Sequence, residues 1–100
     1  MDRVYIGTEL KFKVIITSPG FDMTNDPFSI TLKNGGRSIS FQKQDLSVDG
    51  QGNYYLCFNT KDIGTGTVEM LITAKVPDSA FPDGYRDEVD KKNLVIISAV

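Results

Sequence analysis

The sequence has 100 residues, 40% of them hydrophobic and 24% charged, which is ordinary composition for one domain that folds around its own core. The 11 basic and 13 acidic residues give a net charge of -2 and form no basic run, which excludes the electrostatic footprint of a nucleic-acid-binding protein. There is no histidine and one cysteine, Cys57, so an internal disulfide and a cysteine–histidine zinc site within one chain are excluded.

Apolar and polar residues alternate along most of the chain with the period of two that indicates β-strands. In "ELKFKVIIT" (9–17), for example, Leu10, Phe12, Val14 and Ile16 share one face, which predicts a half-buried strand. In chain order the predicted strands are 9–17, 28–33, 37–43, a short edge strand around Leu46 and Val48, 54–60, 67–76 and 93–100.

A tight hairpin is predicted at "NGG" (34–36), because these residues accept the positive φ angles that such a turn requires. The predicted register places Leu32 opposite Ile39 and Ile30 opposite Phe41. A β-bulge at the glycines is the alternative, and it would shift this pairing by one residue.

The number and spacing of the strands predict the fold class. Short strands at intervals of about 8–12 residues, without the helices that a parallel sheet needs, are typical of antiparallel sandwiches. We therefore expect an all-β protein, an antiparallel immunoglobulin-like β-sandwich of about 6–8 strands that forms a single domain over residues 1–100.

The stretch "SAFPDGYRDEVDKK" (79–92) departs from the alternation and concentrates charges around two aromatic residues. Its centre, 82–84, predicts a turn, and the whole stretch is interpreted as an ordered crossover that delivers the last strand to the sheet. Its carboxylates could offer oxygen ligands to Ca²⁺. The candidate calcium ligands are Asp83, Asp87 and Asp90. Their spacing matches no 12-residue calcium-binding loop and neighbouring basic residues would partly neutralise them, so a solvated loop is the favoured interpretation.

Aromatic, basic and apolar residues in and after this stretch are candidates for contact with a partner protein. The candidates are Phe81, Tyr85, Arg86, Leu94 and Ile96. The last two belong to "NLVIISAV" (93–100), a continuous apolar run that we expect to be covered on both faces, inside the domain or by a neighbouring molecule. The predicted partners are other proteins of an assembly, and self-association is one form of it.

No set of residues predicts catalysis. The serines and threonines have no histidine to activate them, and Cys57 lies on an alternating strand, where a buried or half-buried structural role is expected. No cofactor, small-molecule substrate or membrane contact is predicted. The opening "MDRVYIGTEL" lacks the apolar segment of a signal peptide, so we expect the chain to be cytoplasmic as synthesised.

Three motifs carry a resemblance to a known family: "FDMT" (21–24) between two strands, "DGQGNYYLCF" (49–58), and "GTG" (64–66) before a long strand. Over roughly residues 8–76 the chain resembles the small immunoglobulin-like β-sandwich of phage and prophage tail or baseplate proteins, such as the N-terminal domain of siphophage upper baseplate proteins. Residues 76–98 are similar to segments of uncharacterised proteins from gut Bacteroidetes prophages and mobile elements. The resemblance implies a structural part of a virion or tail-like assembly, packed in multimers with neighbouring tail proteins, and without catalytic residues.

The leading hypothesis is therefore a non-enzymatic assembly module that adds its strand edges to neighbouring proteins, within a virion if the chain derives from a phage. The alternative is a carbohydrate- or protein-binding immunoglobulin-like module of a bacterial cell-surface protein, which would need export. A calcium-dependent adhesin domain is a third hypothesis, and it rests on the acidic stretch alone.

Overall fold

The computed structural model describes residues 2–100 as an all-β protein. The strands are β1 (Arg3–Tyr5), β2 (Glu9–Val14), β3 (Phe28–Asn34), β4 (Arg37–Gln42), β5 (Ser47–Val48), β6 (Tyr54–Asn59), β7 (Gly66–Pro77) and β8 (Tyr85–Ser98), with single 3₁₀ turns at Lys43–Asp45 and Thr60–Asp62. They form a five-stranded sheet in the order β1-β8-β7-β3-β4 and a three-stranded sheet in the order β2-β6-β5. No helix in residues 2–100 is long and apolar enough to cross a membrane.

Side chains from both sheets meet in one hydrophobic core. The alternation along each strand turns every second residue inward, and Ile30, Leu32, Leu56, Val68 and Ile97 are almost completely buried there. Burial of an aliphatic side chain of this size stabilises the fold by about 1.5–3 kcal/mol relative to exposure. The other buried apolar members of the cluster are Val14, Phe28, Leu46, Phe58, Ile63, Met70 and Val95.

The hairpin predicted at the two consecutive glycines is confirmed. Leu32 lies opposite Ile39 and Ile30 opposite Phe41, as the sequence pattern predicts. Gly35 has a φ of 58°, in the left-handed region that favours glycine. The local turn chemistry therefore sets the register of β3 and β4.

The prediction of a wholly antiparallel fold is wrong at one strand. β1 runs parallel to the end of β8, with Arg3 opposite Ile96 and Tyr5 opposite Ser98. A parallel neighbour cannot be joined by a tight hairpin, but β1 reaches β8 from the far end of the chain and needs no direct connection. The five-stranded sheet is therefore mixed.

The interpretation of residues 79–92 as a crossover is also wrong. β8 begins at Tyr85, so most of this stretch is strand, paired antiparallel along the whole of β7. Only 78–84 forms the connection, which is closed by a hydrogen bond of 2.9 Å from the Asp78 N–H to the Gly84 carbonyl. The stretch belongs to a long hairpin.

Cross-strand ion pairs explain how so charged a stretch forms a strand. Lys75 Nζ lies 2.9 Å from Asp87 Oδ1 on the directly opposite residue, and Lys91 Nζ lies 2.9 Å from Glu69 Oε2. Opposite charges across a ladder stabilise the pairing, although each exposed pair contributes only about 0.2–1 kcal/mol.

A β-bulge divides β8 into two parts. Val95 lies opposite Val68 and Asn93 lies opposite Glu69, which leaves Leu94 as the extra residue. A bulge shifts the alternation, so β8 presents Val95 and Ile97 to the core after the bulge but charged residues to the same face before it. The residues on that face before the bulge are Arg86, Glu88, Asp90 and Lys92.

Candidate protein-binding site

The edge of β8 that faces away from β7 is covered at one end only. β1 pairs with Ile96–Ser98, where the Ile96 N–H donates to the Asp2 carbonyl at 2.9 Å. Within residues 2–100 no strand pairs with this edge between Tyr85 and Val95. A strand with an unpaired edge is a template for the addition of another strand.

The direction of the β8 amides follows from the ladder. The Lys75 N–H donates to the Pro27 carbonyl on the β3 side at 3.0 Å, so the next residue, Val76, points its backbone groups toward Arg86 on β8. Neighbouring residues of a strand point to opposite sides, so every second residue of β8 before the bulge points its backbone groups away from β7. The residues that point to the free edge are Tyr85, Asp87, Val89, Lys91 and Asn93.

Two of these outward amides are satisfied by side chains. The Asp83 carboxylate accepts from the Tyr85 N–H at 3.1 Å, and the Asp90 carboxylate accepts from the Lys91 N–H at 3.0 Å. An exposed edge amide that no strand pairs must find such a partner or water. These side chains therefore cap edge amides that no strand in the described part of the chain pairs.

The structure does not bring the three calcium candidates together. Asp87 pairs with Lys75 on one face of the sheet, Asp90 lies on the opposite face, and Asp83 lies in the turn. In residues 2–100 no three carboxylate, thiol or imidazole side chains are grouped so that they could hold a metal ion. Calcium binding stays a prediction, and this geometry gives it no site.

A groove of about 240 Å³ lies beside the free edge, on the inner face of the five-stranded sheet. One wall is the segment that continues β2, residues 15–18, and the other is Glu88–Asp90 of β8. Ile72 and Ala74 of β7 form an apolar floor between the walls. The groove and the free edge together form a lateral opening, which we call the seam: β8 from Tyr85 to Asn93 and the groove wall 15–18.

Glu88 interacts with one residue across the groove and with one residue on its own strand. Its carboxylate accepts a hydrogen bond from the Ser18 hydroxyl across the groove, and Arg86 Nη2 lies 3.1 Å from Glu88 Oε1. The Ser18 hydrogen bond first, and then Arg86, lower the pKa of Glu88. Arg86 Nη1 also lies 3.2 Å from Asp78 Oδ2, and hydrogen bonds to Glu88 first, and then to Asp78, raise the pKa of the Arg86 guanidinium. Asp90 forms no ion pair with a Lys or Arg among residues 2–100, and Lys92 lies two residues further along the same face of β8.

The partner-binding candidates are distributed along the hairpin rather than gathered in one patch. Phe81 is 46% exposed in the turn, and Tyr85 and Arg86 are half-buried where the free edge begins. Leu94 and Ile96 are half-buried at the other end, beside the bulge and the strand covered by β1. At about 3.4 Å per residue the two groups are roughly 35 Å apart along β8, so they cannot form one compact contact. Their role in binding stays a prediction.

Sequence reasoning missed the groove walls. Ser18 falls in a segment that its Pro, Gly and Asp content marks as a turn, and nothing in the sequence places it against Glu88. Ile15 did carry a signal, because it is the one apolar residue on the polar face of the strand predicted at 9–17. In the structure it is 65% exposed at the groove.

The expectation that Cys57 is buried or half-buried is wrong. Its side chain is exposed on the outer face of the three-stranded sheet, with Sγ 3.8 Å from Ser47 Oγ. The alternation along β6 turns Leu56 and Phe58 into the core and Cys57 away from it, onto a face where its side chain is exposed.

No family model matches the sequence, and no curated protein matches it. Among solved structures the chain is similar to a crystal structure of a putative glycoside hydrolase from Bacteroides vulgatus ATCC 8482, with 18% identity and a TM-score of 0.45 over 98% of this chain. The chain spans 17% of the length of that protein. At this TM-score the likeness carries no argument about fold or activity.

Proposed function

We propose that the protein is a non-enzymatic module that binds neighbouring proteins through the seam, and that its fold is an immunoglobulin-like β-sandwich. The strand order supports the fold proposal. In immunoglobulin domains strands C, F and G form one sheet and B, E and D belong to the other. The neighbours β3-β7-β8 and β2-β6-β5 have those two orders, and β4 takes the place of an additional strand beside C.

The free edge of β8 is the observation that carries the proposed function. It presents a row of outward backbone groups from Tyr85 to Asn93 beside a groove with an apolar floor. Addition of a strand to such an edge is a recurring way in which proteins bind extended segments, with backbone hydrogen bonds for affinity and side-chain pockets for specificity. The seam offers both.

The electrostatics of the groove support a non-enzymatic role. Two carboxylates, Glu88 and Asp90, lie in the groove wall, which is the minimum that acid–base hydrolysis of a glycoside would need. A general acid for that reaction has a raised pKa, whereas Ser18 and Arg86 lower the pKa of Glu88. The groove is also lined without an aromatic ring on which a sugar could stack. These features favour a protein ligand over a carbohydrate.

We further propose that the setting is the tail or baseplate of a phage or prophage particle. The support is the resemblance of residues 8–76 to tail-type sandwich domains, together with an edge suited to assembly. In that setting neighbouring tail proteins, or further copies of this chain, would cover the seam. A module of a bacterial cell-surface protein would use the same edge with different partners.

Site-specific photo-cross-linking in the producing cells tests the proposed function. A photoreactive residue replaces Val89, which is 63% exposed at the free edge, and a control variant carries it at the exposed residue Asp62. The proposal predicts that position 89, and not position 62, cross-links to structural proteins of a particle. Cross-links to cell-surface proteins would overturn the tail assignment, and the absence of any position-specific protein cross-link would overturn the binding function.

A further inference from the structure

The seam differs from an ordinary exposed strand edge because its two sides have different chemistry. On the outer face Val89 is 63% exposed, so an apolar side chain of an added strand would find a cross-strand partner there. On the inner face the added strand would meet Glu88 and Asp90 above the floor of Ile72 and Ala74. A strand turns alternate side chains to its two faces, so one segment could satisfy both sides.

The charges of the groove select the class of side chain on the inner face. Glu88 forms an ion pair with Arg86, and Asp90 forms none among residues 2–100. Of the four charged residues on this face of β8, the two carboxylates line the groove, whereas Arg86 and Lys92 flank it. A lysine or arginine side chain would lay its methylene groups on the apolar floor and place its charged end near these carboxylates. An acidic side chain in the same place would be repelled.

On this basis, and resting on the proposed function, we propose that the seam binds an extended segment of a partner protein that alternates apolar with basic residues. The segment adds to the free edge of β8 at Asp87–Lys91, with its basic side chains in the groove and its apolar side chains beside Val89. Backbone pairing would replace the cap that the Asp90 carboxylate forms on the Lys91 N–H, so Asp90 would be released to pair with the incoming cation.

Fluorescence anisotropy with short synthetic peptides tests this inference on the full chain. The probe alternates valine and lysine, one matched peptide alternates valine and glutamate, and another is the valine–lysine peptide with N-methylated valines, which cannot donate backbone hydrogen bonds. Binding of the first peptide with loss of binding for both controls is expected. Equal binding of the glutamate peptide, equal binding of the N-methylated peptide, or no binding of the first would overturn the inference.

Matched variants locate the site. Asp90→Asn should weaken the valine–lysine peptide about threefold, because one partly exposed charge pair is lost, while Asp62→Asn should leave the affinity unchanged. Val89→Pro removes an outward N–H and should abolish binding, while Val89→Ala should retain it. Equal effects of Asp90→Asn and Asp62→Asn would overturn the inference.

Two outcomes separate this inference from the proposed function. If the peptide does not bind but position 89 still cross-links to particle proteins, the basic segment is wrong and the binding function stands. If sedimentation equilibrium shows a dimer that Val89→Pro dissociates, the occupant of the seam is a second copy of this chain, which also overturns the inference of a basic partner segment.

Discussion

The two parts of β8, separated by the bulge at Leu94, differ in their neighbouring strands, their burial and their composition. After the bulge β8 lies between β1 and β7, and Val95 and Ile97 are buried in the core. Before the bulge, residues 2–100 supply β8 with a neighbouring strand on the β7 side alone, and its residues there are mostly charged. We call these the closed part (Val95–Ser98) and the open part (Tyr85–Asn93).

The composition of each part of β8 matches the neighbours that the part has in the fold. An apolar β-branched run is stable where the sheet and the core cover it, and it would be an aggregation hazard at a free edge. Charged residues, together with carboxylates that cap outward amides, suit an edge that must stay soluble until a partner covers it. Because the bulge shifts the alternation, β8 can supply core residues in one part and a soluble, charged edge in the other.

The largest expected effect is removal of the closed part. A chain that ends at Asn93 lacks two buried core residues and should not fold, whereas a chain that ends at Ser98 loses only the exposed Ala99 and Val100 and should keep its stability. Circular dichroism and urea unfolding measure both. A folded chain ending at Asn93 would show that the core does not depend on the closed part.

Alanine substitutions at one residue in each part of β8 should have very different effects on the free energy of unfolding. Ile97→Ala should lower the free energy of unfolding by about 2–5 kcal/mol, because Ile97 is 2% exposed and the substitution leaves a cavity. Val89→Ala, at an exposed position of the open part, should change it by less than about 0.5 kcal/mol. Similar losses in urea unfolding for the two variants would contradict the division of β8.

Acid should destabilise the protein through two carboxylates with lowered pKa values. Hydrogen bonds from the Asn53 backbone, the Asn53 side chain and the Gln51 backbone lower the pKa of Asp49 to about 2, and Ser18 and Arg86 lower that of Glu88. A pKa that is lower in the folded state stabilises above the unfolded value and loses that contribution as pH falls through the folded value. The melting temperature should therefore fall as the pH is lowered from about 4 toward 2.

Substitution of each carboxylate shows how much it contributes to the fall of melting temperature at low pH. Asp49→Asn, in the turn before β6, should flatten the fall of melting temperature more than Glu88→Gln in the open part, because the pKa of Asp49 moves further. Both side chains are half-buried at the protein surface, where solvent screening should keep both effects modest. If neither variant changes the slope, the hydrogen bonds to these carboxylates do not contribute to stability.

A proline in the open part should also have a small effect on stability. Val89→Pro removes an N–H that points to the free edge and takes no part in the ladder with β7, so it should cost no more than about 1 kcal/mol beyond Val89→Ala. Proline tolerates edge strands where its missing donor faces solvent. A loss of several kcal/mol in urea unfolding would show that this amide has a partner within the domain.

The sequence predicted the parts of the fold that depend on local chemistry. Alternation located the strands, the glycines at 35 and 36 set the register of Leu32 against Ile39, and the all-β class followed. The parallel pairing of β1 depends on contact between the two ends of the chain, and three residues carry no signal for it. The boundary of β8 was missed because its charges suit both a loop and an exposed edge strand.

The candidate site was predictable only in part. The charged composition of 79–92 suits a loop as well as the edge strand that most of it forms, and its three calcium candidates serve as edge caps or in a cross-strand ion pair. The groove could not be predicted, because it depends on residues 15–18 meeting residue 88 across two sheets. Such a contact is determined by tertiary packing and not by local pattern.

Native-state hydrogen exchange of the outward amides of β8 tests the division most directly. The Ile96 N–H is paired with Asp2 of the chain, whereas the Asp87 and Val89 N–H groups point to the unpaired edge. The division predicts strong protection at Ile96 and exchange close to that of an unstructured chain at Asp87 and Val89. Equal protection at the three amides would contradict it, because the open part of β8 would then already be paired.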